Sequence, residues 1–317
     1  MRIDPHVHFR DAEESYKETI THGLSLARDQ GVDIVCDMPN TKQPLLIYED
    51  VERRLKLVPK RSAGRYRLYV GVTTDNNQLA EAVDMTKVLP EVVALKMFAG
   101  KSIGNLAIIE EEEQLGVYKT LAKLNCKGLI AVHCEKESLL NTTVQFEPWY
   151  PYWHCCVRTI QVEVESIKDQ LKFAREAQFQ GHLHICHVSC AQSVNLVYEA
   201  KQAGMKVSCG VTPHHILYDD RLLKIPGGLL YKTNPPLRSK DEVCALRTAL
   251  TEGKIDWIET DHAPHAVGEK LFPPYLSGFP SLYLYKDFVK NYLPGLGLCP
   301  SQIRNLTYTN IANVMEF

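Results

Sequence analysis

The chain begins MRIDPHVHFRD, which places His6 and His8 one residue apart. In a β-strand alternate side chains leave the same face, so both imidazoles would point one way and a single metal ion could reach both. Two solvated imidazoles at a terminus would read the same, so the other polar residues must decide. They fall in a consistent place. Apolar runs end at, or lead into, Asn40, Lys96, His133, His187 and Asp261. Each alone has an ordinary explanation: a satisfied buried histidine, a lysine stem laid along apolar surface, an aspartate capping a turn. Together, four imidazoles, a carboxylate and a lysine suit a site for two divalent ions, and nitrogen and oxygen donors favour zinc. Lys96 is the odd member, because an ammonium repels cations and offers no lone pair. Reaction of its amine with carbon dioxide would remove the conflict, giving a carbamate whose two anionic oxygens could bridge two metals.

Such a set must be held by a scaffold, and the chain supplies a repeating one. Eight short apolar, β-branched runs recur: IDPHVHF, VDIVCDMPN, YRLYVGV, EVVALKMF, GLIAVHC, HLHICHV, MKVSCGV and IDWIETD. Between them lie stretches with helical spacing, such as ETITHGLSLARDQG and KDQLKFAREAQFQG, whose terminal glycines predict helix ends at Gly31 and Gly181. Strand and helix alternate throughout, without a Gly-rich phosphate fingerprint, which predicts an α/β fold of the (β/α)8 barrel type in one domain spanning 1–317 with a helical tail. In such a barrel the active site lies at the carboxyl ends of the strands, where the residues above fall. Two connections, 135–180 and 211–254, are long enough to be functional loops. Within HLHICHV, His187 lies nearest the strand end and is the expected ligand, while His182 and His184 share the other face as packing or supporting residues. His214 and His215, just past the seventh run, are expected to support the site rather than to bind metal.

Composition narrows the class further. The 36 basic and 38 acidic residues give a net charge of −2, with no basic stripe for nucleic acid or an anionic membrane. No apolar run approaches a membrane span and the first thirty residues lack a signal peptide's apolar centre, so a cytoplasmic protein is expected. Ten cysteines without a C-x-x-C pair, among them Cys36, Cys134, Cys186 and Cys209 in apolar contexts, read as buried free thiols.

The ordered motifs DPHVHFR, CDMPNT, ALKMF, VHCE, CHVS, TPHH, KTNPPLR, ETDHAPH and GFPS resemble those of dihydroorotases of the amidohydrolase superfamily. The resemblance runs from residue 4 to about 315, and DHAPH and NPPLR are uncommon strings. It implies one zinc on His6, His8 and Asp261, a second on His133 and His187, and carboxylated Lys96 as the bridge. It further implies that Arg10, Asn40, Asn234 and His265 hold the substrate, that main-chain groups near Gly278 to Pro280 contact its ring, and that Asp261 shuttles the proton. The implied activity is the reversible cyclisation of N-carbamoyl-L-aspartate to L-dihydroorotate, a step of pyrimidine synthesis. A homodimer, or a complex with another pyrimidine-pathway enzyme, stays open.

The chain also departs from the family. DAEES follows HFR where many relatives have a Glu-Pro-Gly turn, and Gly210 stands where some carry an acidic residue, so no third metal is expected there. A barrel with little or no accessory β-sandwich is expected. FAGKSIGNLAI, after Lys96, resembles a loop that closes over substrate in some relatives. Two rival readings remain: another cyclic amidohydrolase, such as a hydantoinase, dihydropyrimidinase or allantoinase, and a non-catalytic dihydroorotase-like assembly subunit.

Overall fold

The computed structural model describes residues 1–102 and 105–317. Its strands are β1 Ile3–Val7, β2 Ile34–Asp37, β3 Tyr66–Gly71, β4 Val92–Ala99, β5 Leu129–Cys134, β6 His182–Ile185, β7 Val207–Val211 and β8 Trp257–Ile258. They are parallel and pair in sequence order. A bridge from Val7 to His262, with the His8 N–H donating to the His262 carbonyl at 2.7 Å, brings the end of the sheet round to its beginning. The result is the expected (β/α)8 barrel, nearly closed, and each of the eight runs supplies one strand.

Up to Leu271 the helices are α1 Ile20–Asp29, α2 Tyr48–Leu55, α3 Asn76–Val88, α4 Glu111–Lys123, α5 Trp153–Val157, α6 Ile160–Glu176, α7 Ala191–Gln202, α8 Pro213–Leu217, α9 Lys240–Thr251 and α10 Val267–Leu271. Contacts of α3 with α4, α4 with α6, α6 with α7 and α7 with α9 build the outer layer. Helix α1 opens on Thr19, whose hydroxyl accepts from His22 N–H, and stops just before Gly31 at φ +77°, as the glycine predicts. The second glycine expectation fails. Helix α6 ends at Glu176, five residues before Gly181, because Gln178 takes the left-handed turn at φ +54°.

Alternation along the strands decides which side chains face the site. In β4 and β5, Leu95, Met97, Ile130 and Val132 join the core between sheet and helices, whereas Ala94, Leu129 and Ala131 join a second cluster with Cys36, Tyr69 and Trp257. Lys96 continues the series of Ala94, and His133 that of Leu129 and Ala131, so both share the inner face. The register of β1 against β2 breaks between Asp4 and Val7. Past that irregularity Val7 and Phe9 belong to the outer core, which sends His6 and His8 inward. Ile311 and Met315 close the inner cluster.

The connection 135–180 carries α5 and α6, and 211–254 carries α8 and α9. The centre of FAGKSIGNLAI, Ile103 and Gly104, lies outside the described residues. All ten cysteines are free, with Cys36, Cys134, Cys186 and Cys209 buried as expected. Among the described residues no helix is long and apolar enough to cross a membrane.

Candidate active site

The carboxyl ends of the strands surround a cleft. Nine of the ten residues singled out from the sequence line it: His6, His8, Arg10, Asn40, Lys96, His133, His187, Asn234 and Asp261. Phe98, Ser102, Ala263, Ser277 and Gly278 complete the wall. His265 stands behind it, touching Arg10.

The inner donor set is tight. His8 Nε2 lies 2.9 Å from Asp261 Oδ1 and 3.2 Å from His6 Nε2, and His6 Nε2 lies 3.4 Å from the same carboxylate oxygen. Asn40 Oδ1 accepts from His8 Nδ1 at 2.7 Å, which leaves the Nε2 lone pair facing the set. Burial alone would raise the Asp261 pKa, but the imidazoles of His8, His6 and His187 around it hold it well below the usual carboxylate range. His6 is pushed down to about 4 by burial and then by Lys96, so it is neutral near pH 7.

A second pair adjoins the first. His133 Nδ1 lies 3.3 Å from His187 Nε2, and the His187 ring centroid is 5.2 Å from that of His6. His133 Nε2 donates to Glu135 at 3.1 Å, which leaves its Nδ1 lone pair toward His187. Burial alone would raise the Glu135 pKa, yet Arg158 at 2.5 Å and His133 bring it down to about 2. Lys96 is 1% exposed, with its Nζ donating to Cys186 Sγ at 3.0 Å. Among the described residues no carboxylate lies within 4.0 Å of that ammonium.

Two residues of the set sit on unusual backbone. His187 has φ +37° and Asp261 φ +49°, conformations uncommon for residues other than glycine and found where a site requires them. Glu259 anchors the His187 turn: it accepts from the His187 backbone N–H, from Trp257 Nε1 at 3.1 Å and from His184 Nε2 at 3.0 Å. It also faces His6 Nδ1 at 3.7 Å. A Cβ on Gly210 would meet the Glu259 carboxylate at 2.5 Å, so no larger residue fits there without a shift. His182 and His184 both contact Ser208 Oγ, and His184 stacks on Trp257. His215 contacts Thr212 and Pro235, and His214 is buried with both ring nitrogens unpartnered.

The donor set fits a divalent cation on physical grounds. Lone pairs and a carboxylate oxygen converge at 2.9 to 3.4 Å, contacts that repel unless a proton or cation lies between them.

The cleft's other half is cationic. Arg10 is 2% exposed; its Nε donates to the Pro264 carbonyl and its NH2 to His265 Nε2, each at 3.2 Å. Burial and then Arg10 bring the His265 pKa to about 2, so that ring stays neutral and accepts. Arg54 of α2 donates to the Phe9 and Arg10 carbonyls at 2.5 and 2.6 Å and to Asp37 at 2.7 Å, pinning the chain just after β1. Asp11 is occupied by the N–H groups of Ala12 and Ile20, and Glu13 pairs with Lys42. Arg10 is therefore not a surface partner of either.

Comparison with known proteins agrees with this geometry. No family model matches the chain. It is 36% identical over 307 residues to a dihydroorotase of Staphylococcus aureus, covering 91% of this chain and 68% of that protein. The chain belongs to the dihydroorotase family. A dihydroorotase of Macrococcus caseolyticus is 32% identical over 326 residues, covering 96% of this chain and 73% of the relative. Among solved structures, the L-hydantoinase (dihydropyrimidinase) of Arthrobacter aurescens superposes with a TM-score of 0.84 at 21% identity, covering 99% of this chain and 70% of its own. The dihydropyrimidinase of Brevibacillus agri gives 0.83 at 21%. These two likenesses establish the shared barrel. Membership of the dihydroorotase family makes the chain a cyclic amide hydrolase, acting on a small molecule.

Sequence reasoning passed over several residues that the fold draws in. Glu135 stands in the quoted VHCE motif two residues after His133, the H-x-E spacing of one strand face, and so was detectable. Glu259 likewise lies two residues before Asp261. His154, Arg158 and Arg54 carried no periodic signal, since they reach the site from a loop or a neighbouring helix.

Proposed function

We propose that this chain catalyses the reversible ring closure of N-carbamoyl-L-aspartate to L-dihydroorotate. Arg10 carries the reading. It is a buried guanidinium on the cleft wall with, among the described residues, no carboxylate at ion-pair distance. A buried charge without a counter-charge is costly, and a substrate carboxylate would supply one through paired N–H donors. Neutral ring amides such as hydantoin carry no such group.

His6, His8 and Asp261 would hold one zinc ion and His133 and His187 a second, with Lys96 as its carbamate offering an oxygen to each. When bound, the metals supply a water acidic enough to ionise near neutral pH and a polarised amide carbonyl. In the ring-opening direction the Asp261 carboxylate takes the proton of the attacking water and returns it to the departing ring nitrogen. Arg10 and Asn40 grip the substrate carboxylate, with His265 bracing Arg10 from behind, while Asn234 and the main chain at Ser277 and Gly278 flank the ring. Side-by-side assays of dihydroorotate, hydantoin and allantoin test this reading. Turnover of dihydroorotate with at most weak activity on the neutral rings is expected; preference for either neutral ring would replace it with the hydantoinase class. A protein that retains no metal and turns over none of the three would point to an assembly subunit.

A further inference from the structure

Asn234 reaches the cleft from the connection between β7 and α9, and its side-chain oxygen lies 3.0 Å from Nε2 of His154. The same ring nitrogen lies 2.8 Å from the carbonyl oxygen of Thr233. His154 sits on α5, in the connection between β5 and α6, and is 3% exposed. A backbone carbonyl can only accept, so Nε2 must carry the ring proton, and the Asn234 atom sharing that proton must be the amide oxygen. The acceptor end of the amide is thus turned toward His154. Its NH2 end, which has no protein partner among the described residues, is left for the cleft. Burial, followed by the charges of Lys232 and Arg158, holds the His154 pKa well below its ordinary value, so the ring stays neutral at assay pH.

We propose that His154 is a positioning residue that locks the Asn234 amide with its NH2 toward the substrate, so that the site presents a donor, and not an acceptor, to the substrate's oxygens. This rests on the reading of Asn234 as a substrate-holding residue. Without the Nε2 proton the amide is free to turn about its last torsion, which is broad and roughly two-fold, and to face substrate oxygens with its own. The cost is then repulsion as well as a lost hydrogen bond. Because α5 belongs to a long loop, the loop contributes to specificity without touching the substrate.

The test uses the full chain, loaded with zinc, and four variants: H154F, H154Q, N234A and the double variant H154F/N234A. H154F keeps a ring and removes the donor; KM for dihydroorotate should rise about ten- to a hundred-fold with kcat changed by less than about three-fold. H154Q carries an NH2 able to serve both oxygens and should recover most of that loss. In the N234A background H154F should add less than about two-fold, because its only target is gone. An N234A variant with parental KM would remove Asn234 from substrate binding, and with it the reading on which this one rests. An impaired N234A beside a parental H154F, or an H154F effect undiminished in the double variant, would overturn the role of His154 alone. If H154F does not fold, ¹⁵N shifts of the His154 ring in the unmodified protein decide: the tautomer protonated on Nε2 is required, and protonation on Nδ1 instead refutes the proposal.

Discussion

Nδ1 of His8 stands 2.7 Å from Oδ1 of Asn40, on the far side of the ring from Asp261. The amide oxygen accepts, so it draws the ring proton to Nδ1 and leaves the Nε2 lone pair aimed at a carboxylate oxygen only 2.9 Å away. That arrangement is unfavourable by itself and favourable around a cation. Asn40, read from the sequence as a substrate contact, thereby also sets the state of a ligand.

Replacing Asn40 with leucine should therefore weaken metal retention. Partners of this kind contribute about ten- to a hundred-fold in metal affinity, and Asn40→Asp, which keeps an acceptor, should lose less. Competition with a chelator at fixed pH reads both. Parental retention in Asn40→Leu would detach Asn40 from the metal site and leave it only a substrate contact.

Lys96 makes a sharper case. Its amine is buried against a thiol and the Phe98 ring, without a carboxylate among the described residues. Conversion to a carbamate would turn this costly cation into a metal ligand. Lys96→Ala should abolish turnover, and short carboxylic acids should restore part of it by replacing the lost oxygens. Native mass measurement should show one added carbon dioxide on the active protein. An active, metal-loaded protein without that mass would exclude the bridge.

The barrel and the residues at its strand ends were legible because both rest on local pattern. Two-residue alternation places Lys96 and His133 on one face, and the barrel rule places strand ends at the site. What was not legible depends on non-local contact or on backbone turns. The left-handed conformations of His187 and Asp261 leave no mark on neighbouring residue types. The end of α6 at Glu176 departs from the glycine pattern because Gln178, three residues before Gly181, takes the left-handed turn itself. His154 and Arg158 are invisible to any periodic reading, since the loop that carries them has no regular face and meets the site only in the folded chain.

Acid should destabilise the chelator-treated protein earlier than carboxylates alone would require. Burial pushes His182 to about 3, His215 to about 4 and His265 to about 2. Their folded pKa values lie below the unfolded value of about 6.5, so below that pH the unfolded chain binds more protons and stability falls as pH drops. Each ring contributes up to about 1.4 kcal/mol per pH unit within its window. Asp4 opposes them: burial raises its pKa to about 7, which favours the fold as pH falls from about 7 to about 4. Several imidazoles against one carboxylate leave a net loss from pH 6.5 to 5. Denaturant midpoints measured across that range should fall, and His182→Asn, away from the cleft, should flatten the slope. A constant midpoint would contradict the buried neutral state.

Arg10 decides the substrate class. Its guanidinium is held from behind by Pro264 and His265, and Arg54 fixes its backbone carbonyl, so the side chain cannot swing to the surface without breaking a buried network. Arg10→Met keeps the length and apolar stem while removing the charge. If Arg10 grips the dihydroorotate carboxylate in a partly dehydrated pocket, the change should cost roughly 2 to 5 kcal/mol, about thirty-fold to several thousand-fold in kcat/KM. Zinc content should survive, because Arg10 touches none of the proposed ligands. Weak activity on a neutral ring amide should change little, since no carboxylate is there to be lost, and that contrast separates a specific anion contact from general damage. A variant that opens dihydroorotate within about three-fold of the parent would deny Arg10 this role and return the hydantoinase reading to first place.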